Sequence, residues 1–98
     1  MPVSLIFVAA PPGAGPALHR HPYPELFLVE AGEAKFSVGD AEFVARAGEV
    51  VVGPAEVPHG FTNAGAVELR LTAIHCAGRF TTRWERGPDR DWVSKPQR

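Results

Sequence analysis

Three histidines and one glutamate have the residue types and spacing to hold a metal ion. His19 and His21 are separated by one residue, so in an extended chain both imidazoles fall on the same face. Glu25 follows at the start of an apolar run, where an unpaired charge is costly. Pro22 and Pro24 intervene, so alternation alone does not fix its direction and a bend must bring it round. His59 comes from a distant stretch, directly after Pro58. Three neutral imidazoles and a carboxylate are a common ligand set for one divalent transition metal. Iron, manganese, nickel, cobalt, copper and zinc all tolerate it. Taken singly, each histidine fits a hydrogen-bonded core or surface role better than a ligand role, and it is the set that points to a metal.

Other signals for chemistry are weak. His75 and Cys76 are adjacent, so on a strand they point to opposite faces and cannot form a thiolate–imidazole dyad. Gly13-Ala14-Gly15 lacks the third glycine and the strand–helix context of a dinucleotide loop. The chain has no G-x-S-x-G elbow and no Walker sequence. Cys76 is the only cysteine, which excludes an intramolecular disulfide and suits a reducing compartment, so a cytoplasmic location is expected.

The elements that must position these residues read as strands. Gly and Pro supply 10 residues each of 98, which cuts helices short but suits strands joined by tight turns. The spacing predicts strands over Ser4–Ala10, Glu25–Ala31, Glu33–Val38, Ala41–Arg46 and Gly48–Gly53. A short segment at His59–Asn63 and a long strand at Ala66–Cys76 follow. Glu25–Ala31 and Val50-Val51-Val52 read as buried core, whereas Glu33–Val38 and Ala41–Arg46 alternate. Residues 79–86 fit either a strand or one helical turn. Seven or eight short strands without a helical stripe indicate an all-β sandwich or small barrel.

Charge excludes some partners. The net charge of −1 gives no global field for nucleic acid or acidic lipid. The longest early apolar run, 3–10, is far short of the roughly 20 residues that span a bilayer, and it lacks the basic flank of a signal peptide. Neither a nucleic-acid nor a membrane partner is expected. Residues 79–98 carry six basic and three acidic side chains (net +3), against four and eight in residues 1–78 (net −4). The chain is therefore divided into a barrel, 1–78, and a basic tail, 79–98, that rests on the barrel or on a second subunit, with Trp84 and Trp92 as anchors.

Beyond the ligands, the spacing resembles the cupins at many positions. Their first motif, G-x5-H-x-H-x3–4-E-x6-G, is filled by Gly13, His19, His21, Glu25 and Gly32. Their second, G-x5-P-x-G-x2-H-x3-N, is filled by Gly48, Pro54, His59 and Asn63, with Glu56 standing where the second glycine is usual. The resemblance implies a single jelly-roll barrel of two packed antiparallel sheets, with His19, His21, Glu25 and His59 converging on one metal ion per chain. In an octahedral site two positions would remain for water, O2 or substrate oxygens. Small cupins commonly dimerise, so a homodimer is implied. Glu56 is either a carboxylate at the barrel rim or a solvent-facing loop residue.

Parity from the ligands nominates a substrate pocket. Phe27 shares a face with Glu25, and Phe61 and Asn63 share one with His59, with Phe36 on a neighbouring strand. These side chains either line a pocket for a small organic molecule or simply fill the barrel. Tyr23 either donates a hydrogen bond to a metal-bound group or packs at the rim against Pro22 and Pro24. The leading expectation is metal-dependent chemistry on a small organic molecule, oxygenase-type first and isomerase, cyclase or lyase second. Glu25 is a candidate proton acceptor. The alternative is a non-catalytic module that binds or senses a small molecule. So short a chain leaves no room for an elaborate lid, so the cavity wall is expected to set specificity.

Overall fold

A computed structural model describes residues 1–85. The expectations for residues 86–98, including Trp92 and most of the basic tail, lie outside the described residues. Nine strands are present and no helix among the described residues: β1 (Ser4–Ala10), β2 (His19–Arg20), β3 (Glu25–Ala31), β4 (Glu33–Val38), β5 (Ala41–Arg46), β6 (Val50–Gly53), β7 (His59–Asn63), β8 (Leu69–His75) and β9 (Arg83–Trp84). They form two antiparallel sheets, ordered β1-β8-β3-β6 and β5-β4-β7-β2-β9, packed face to face as a jelly-roll barrel. Gly13, Gly32 and Gly48 take φ of 85°, 85° and 91°, the left-handed turns that glycine admits without penalty.

Side-chain alternation sorts each strand into an inner and an outer row. The inner residues meet in layers because the strands are in register. Phe27 pairs with Ala73 and Val51 in one sheet, while Phe36 pairs with Phe61 in the other. Phe27, Phe36 and Phe61 then meet across the barrel at centroid separations of 5.1–5.9 Å. Such ring pairs add about 0.5–1.5 kcal/mol each beyond the area they bury. One layer further in, Val8, Leu71 and Val29 close the core.

Three sequence expectations need correction. Val50-Val51-Val52 is not a core strand: only Val51 is buried, and Val50 and Val52 are 58% and 54% exposed. A run of three valines carries no alternation, so it could not reveal that this strand has a solvent face. For the same reason β3 is buried on one face only. The strand expected over Ala66–Cys76 begins only at Leu69, after the Ala64–Val67 turn. In 79–85 the chain bends and then forms the two-residue β9, which pairs with β2, and residue 86 lies outside the described residues.

The outer face of the β1-β8-β3-β6 sheet is largely apolar over two rows, with Glu30 and Arg70 beyond them. Leu5, Ile74, Leu26 and Val52 make one cross-strand row, and Phe7, Thr72, Leu28 and Val50 the next. Leu5 is 50% exposed and Phe7 78%.

Candidate metal centre

One end of the barrel interior is polar. His19 lies on β2, Glu25 opens β3 and His59 opens β7, while His21 follows β2 directly. His19 and His59 are cross-strand partners. Glu25 sits beside Gly53 on one side and His75 on the other. One potential ligand atom from each of His19, His21, Glu25 and His59 lies within 4.8 Å of all the others, and all four side chains are buried. The bend at Pro22 and Pro24 that the sequence required is present.

Hydrogen bonds to backbone carbonyls orient two of the rings. His19 Nδ1 donates to the Ala17 carbonyl at 2.7 Å, and His21 Nδ1 donates to the Thr81 carbonyl at 2.8 Å. A carbonyl only accepts, so in each neutral ring Nδ1 carries the hydrogen and Nε2 a bare lone pair. His21 Nε2 lies 3.0 Å from Glu25 Oε1 without an aligned hydrogen bond, whereas His59 Nε2 donates to the same oxygen at 3.1 Å. The other nitrogen of His59, Nδ1, is also buried without a partner. His21 Nε2, a bare lone pair 3.0 Å from a carboxylate oxygen, is an atom that a cation would satisfy, and three imidazoles with one carboxylate fit a divalent transition metal. Those four residues would hold it, and the bound ion would supply Lewis acidity and, if redox-active, electron transfer.

The ionisation states agree with that fit. Burial pushes the His19 imidazole down to about 4, so it is neutral and ligand-competent at pH 7. Burial opposes ionisation of Glu25, but the surrounding imidazoles of His21, His59 and His75 outweigh it and hold the carboxyl well below the usual range. Gly53 leaves room for His59: a Cβ there would stand 2.9 Å from Nδ1.

His75 belongs to this centre, although the sequence reading considered it only beside Cys76. It is buried at the end of β8, with Nε2 3.0 Å from Glu25 Oε2 and Nδ1 2.7 Å from the Tyr23 hydroxyl. The signal was available, since Leu69, Leu71 and Ala73 place position 75 on the inner row.

Residues 79–85 form a strap across the mouth. Thr81 N–H donates to the Tyr23 hydroxyl at 3.1 Å, and the Thr81 carbonyl holds His21. Trp84 packs on His19 and Phe80 on His75, with ring centroids 4.6 and 4.8 Å apart. Glu85 N–H donates to the Leu18 carbonyl. The cavity wall is thus not alone at the mouth. Glu56, in the left-handed region at φ 64°, sits at this rim, 3.5 Å from Arg20 Nε and 3.6 Å from Arg83 Nη1.

The pocket nominees separate by depth. Tyr23 stacks on His21 and Phe27 meets His59 edge-on, so both touch the centre. Phe36 and Phe61 lie in the next layer, packed on Phe27. Asn63 is deeper still, donating to the Ala10 and Val67 carbonyls and accepting from Gly65 N–H.

The sequence matches the family described as Cupin domain over residues 6–75, and the chain belongs to that family. It is 39% identical over 61 residues to Protein SchB of Streptomyces halstedii, covering 61% of this chain and 44% of that protein. An oxalate oxidase structure superposes with a TM-score of 0.79 at 25% identity, over 96% of this chain and 50% of that one. The Lactobacillus farciminis oxalate decarboxylase–formate complex gives 0.79 at 25%, over 87% of this chain and 27% of that one. The chain therefore spans half or less of the length of each of these three proteins.

Proposed function

We propose that this chain is a metal-dependent enzyme acting on a small organic molecule at the mouth of its barrel, with oxygenase-type chemistry as the leading reaction. Isomerase, cyclase or lyase chemistry stands second. The observation that carries the proposal is the convergence of His19, His21, Glu25 and His59 within 4.8 Å in a buried cluster in which His21 Nε2 has no hydrogen-bond partner. His19, His21, Glu25 and His59 hold one divalent transition metal. Tyr23, Phe27 and the strap form the wall nearest the substrate. The likeness to proteins named for oxalate chemistry, one of them bound to formate, favours a small carboxylate among the substrates to be tried first.

Metal analysis of protein purified without an affinity-tag metal is the first test. One equivalent of transition metal, native or taken up on addition, is expected, and none in either case overturns the reading. Oxygen uptake by iron-loaded protein offered oxalate, small phenols and diketones follows, with His59→Ala as the inactive control. Turnover surviving in His59→Ala moves the chemistry elsewhere. Stoichiometric metal with ligand binding but no turnover favours the alternative, a non-catalytic sensing module.

The outer face of the β1-β8-β3-β6 sheet supports a homodimer. Three strands of seven residues and one of four, about 4.8 Å apart, give a face of roughly 400 Å², about half of the ~800 Å² that a stable partner buries. Exposed Met1 and Val3 extend it. Phe7→Glu should halve the mass measured by sedimentation. The single cysteine, Cys76, is exposed and unpaired, in keeping with the proposed cytoplasmic location.

A further inference from the structure

Metal ligands seldom orient themselves; a carboxylate with two free oxygens can bind through one, through both, or swing away. Glu25 is not free in this way. Its Oε1 faces His21 and His59, while its Oε2 faces His75 Nε2 at 3.0 Å. A carboxylate only accepts, so His75 Nε2 must carry a hydrogen. In the neutral ring Nδ1 is then an acceptor, and the Tyr23 hydroxyl must donate to it across 2.7 Å. Tyr23 oxygen in turn accepts from Thr81 N–H. With the His75 ring neutral, the donors run along the chain Thr81 N–H, Tyr23 O–H, His75 Nε2–H, Glu25 Oε2. All three side chains are buried, where such bonds are strengthened and a missing partner is costly.

We infer that His75 is a positioning residue of the metal centre: it holds Oε2 of Glu25 so that Oε1 alone is presented to the ion, with Tyr23 and the strap fixing the tautomer that does so. The inference rests on the metal reading above. Its consequence would be that the carboxylate offers a bound ion one oxygen rather than two. His75 itself is not a ligand, since its proton-bearing nitrogen faces Glu25 and its other nitrogen faces Tyr23.

Cobalt(II) titration tests it, read both as affinity by chelator competition and as the visible absorption spectrum, which reports coordination number. Wild type, His75→Phe, His75→Gln, Tyr23→Phe and His59→Ala are compared, with far-ultraviolet circular dichroism checking the fold. His75→Phe should still take one equivalent, 10–100-fold more weakly, with an altered spectrum as Oε2 is released. His75→Gln, whose amide can donate to Oε2, should restore the wild-type spectrum. Tyr23→Phe should move spectrum and affinity in the direction of His75→Phe, and it carries the test if His75→Phe does not fold. Unchanged spectra and affinities in folded His75→Phe and Tyr23→Phe overturn the inference. So does loss of all binding in folded His75→Phe, as in His59→Ala, because His75 would then be a ligand. Failure of the wild type to bind cobalt instead overturns the metal reading itself, and the inference with it.

Discussion

The two ends of the barrel interior are built from the same strands and behave oppositely. β3 runs from Glu25 through Phe27 to Val29, β7 from His59 through Phe61 to Asn63, and β8 arrives from Leu69 and Leu71 at His75. Two residues, about 6.6 Å of strand, separate a layer of imidazoles from a layer of hydrocarbon. At the apolar end the polar residue Asn63 has its amide fully engaged. At the polar end His21 Nε2 and His59 Nδ1 are buried and unsatisfied. The contrast teaches that the core below holds the backbone in place while the centre above keeps unmet bonding capacity for a ligand.

The largest expected effect breaks the apolar end. Phe36→Ala removes a fully buried ring that packs against Phe27 and Phe61 without touching a ligand. It should cost about 3–5 kcal/mol in urea unfolding while the folded protein keeps one equivalent of metal. Loss of metal stoichiometry in the folded variant would show that the two ends are not separable.

Acid tests the polar end of metal-free protein. Because the His19 pKa is lowered from 6.5 to about 4, the unfolded state binds more protons between those values. Stability should therefore fall as pH drops from 6.5 towards 4, by at most about 3 kcal/mol. Glu25, held below its ordinary range, adds stability above about pH 4 that is lost on further acidification. A urea midpoint unchanged from pH 7 to 4.5 would contradict this, and bound metal should flatten the profile near neutrality.

Gly53→Ala probes the seam between the ends, since its Cβ would press on His59 Nδ1 at 2.9 Å and approach Phe27 at 3.4 Å. A destabilisation of about 1–3 kcal/mol with weakened metal binding is expected, and unchanged calorimetric cobalt affinity would show that His59 has room to move. The smallest effect is at the rim. Glu56→Ala should be about 1 kcal/mol less stable than Glu56→Gly by thermal melting, because only glycine relaxes at φ 64°. Both lose the exposed pairs with Arg20 and Arg83 equally, each worth at most about 1 kcal/mol.

Legibility in the sequence followed the length scale of each signal. The alternation in Glu33–Val38 and Ala41–Arg46 placed those strands to the residue, and the two histidine motifs named the four side chains that converge. His75 was missed because no motif marks it; only the parity of β8 does, and a lone histidine beside a cysteine draws attention to the wrong pairing. The strap was illegible for another reason. Its partners, Leu18, His21 and Tyr23, lie some 60 residues away, and it binds them largely through main-chain groups that every residue possesses. Asn63 fits its motif, yet its amide serves the Ala64–Val67 turn and β1, a role that spacing from His59 does not distinguish from facing a ligand.

The use of main-chain groups at the mouth has an evolutionary corollary. The rings of His19 and His21 are aimed by the carbonyls of Ala17 and Thr81, so their aim is encoded in the course of the chain and not in any side chain that selection could swap. Substitution at those two positions is nearly silent for ring orientation, and a scan of point variants would pass over both. A single-residue deletion in 79–82 would instead turn the carbonyl away and misdirect His21. The side chains at positions 17 and 81 are thus free to vary as far as ring aim is concerned, while the length of the strap stays under constraint.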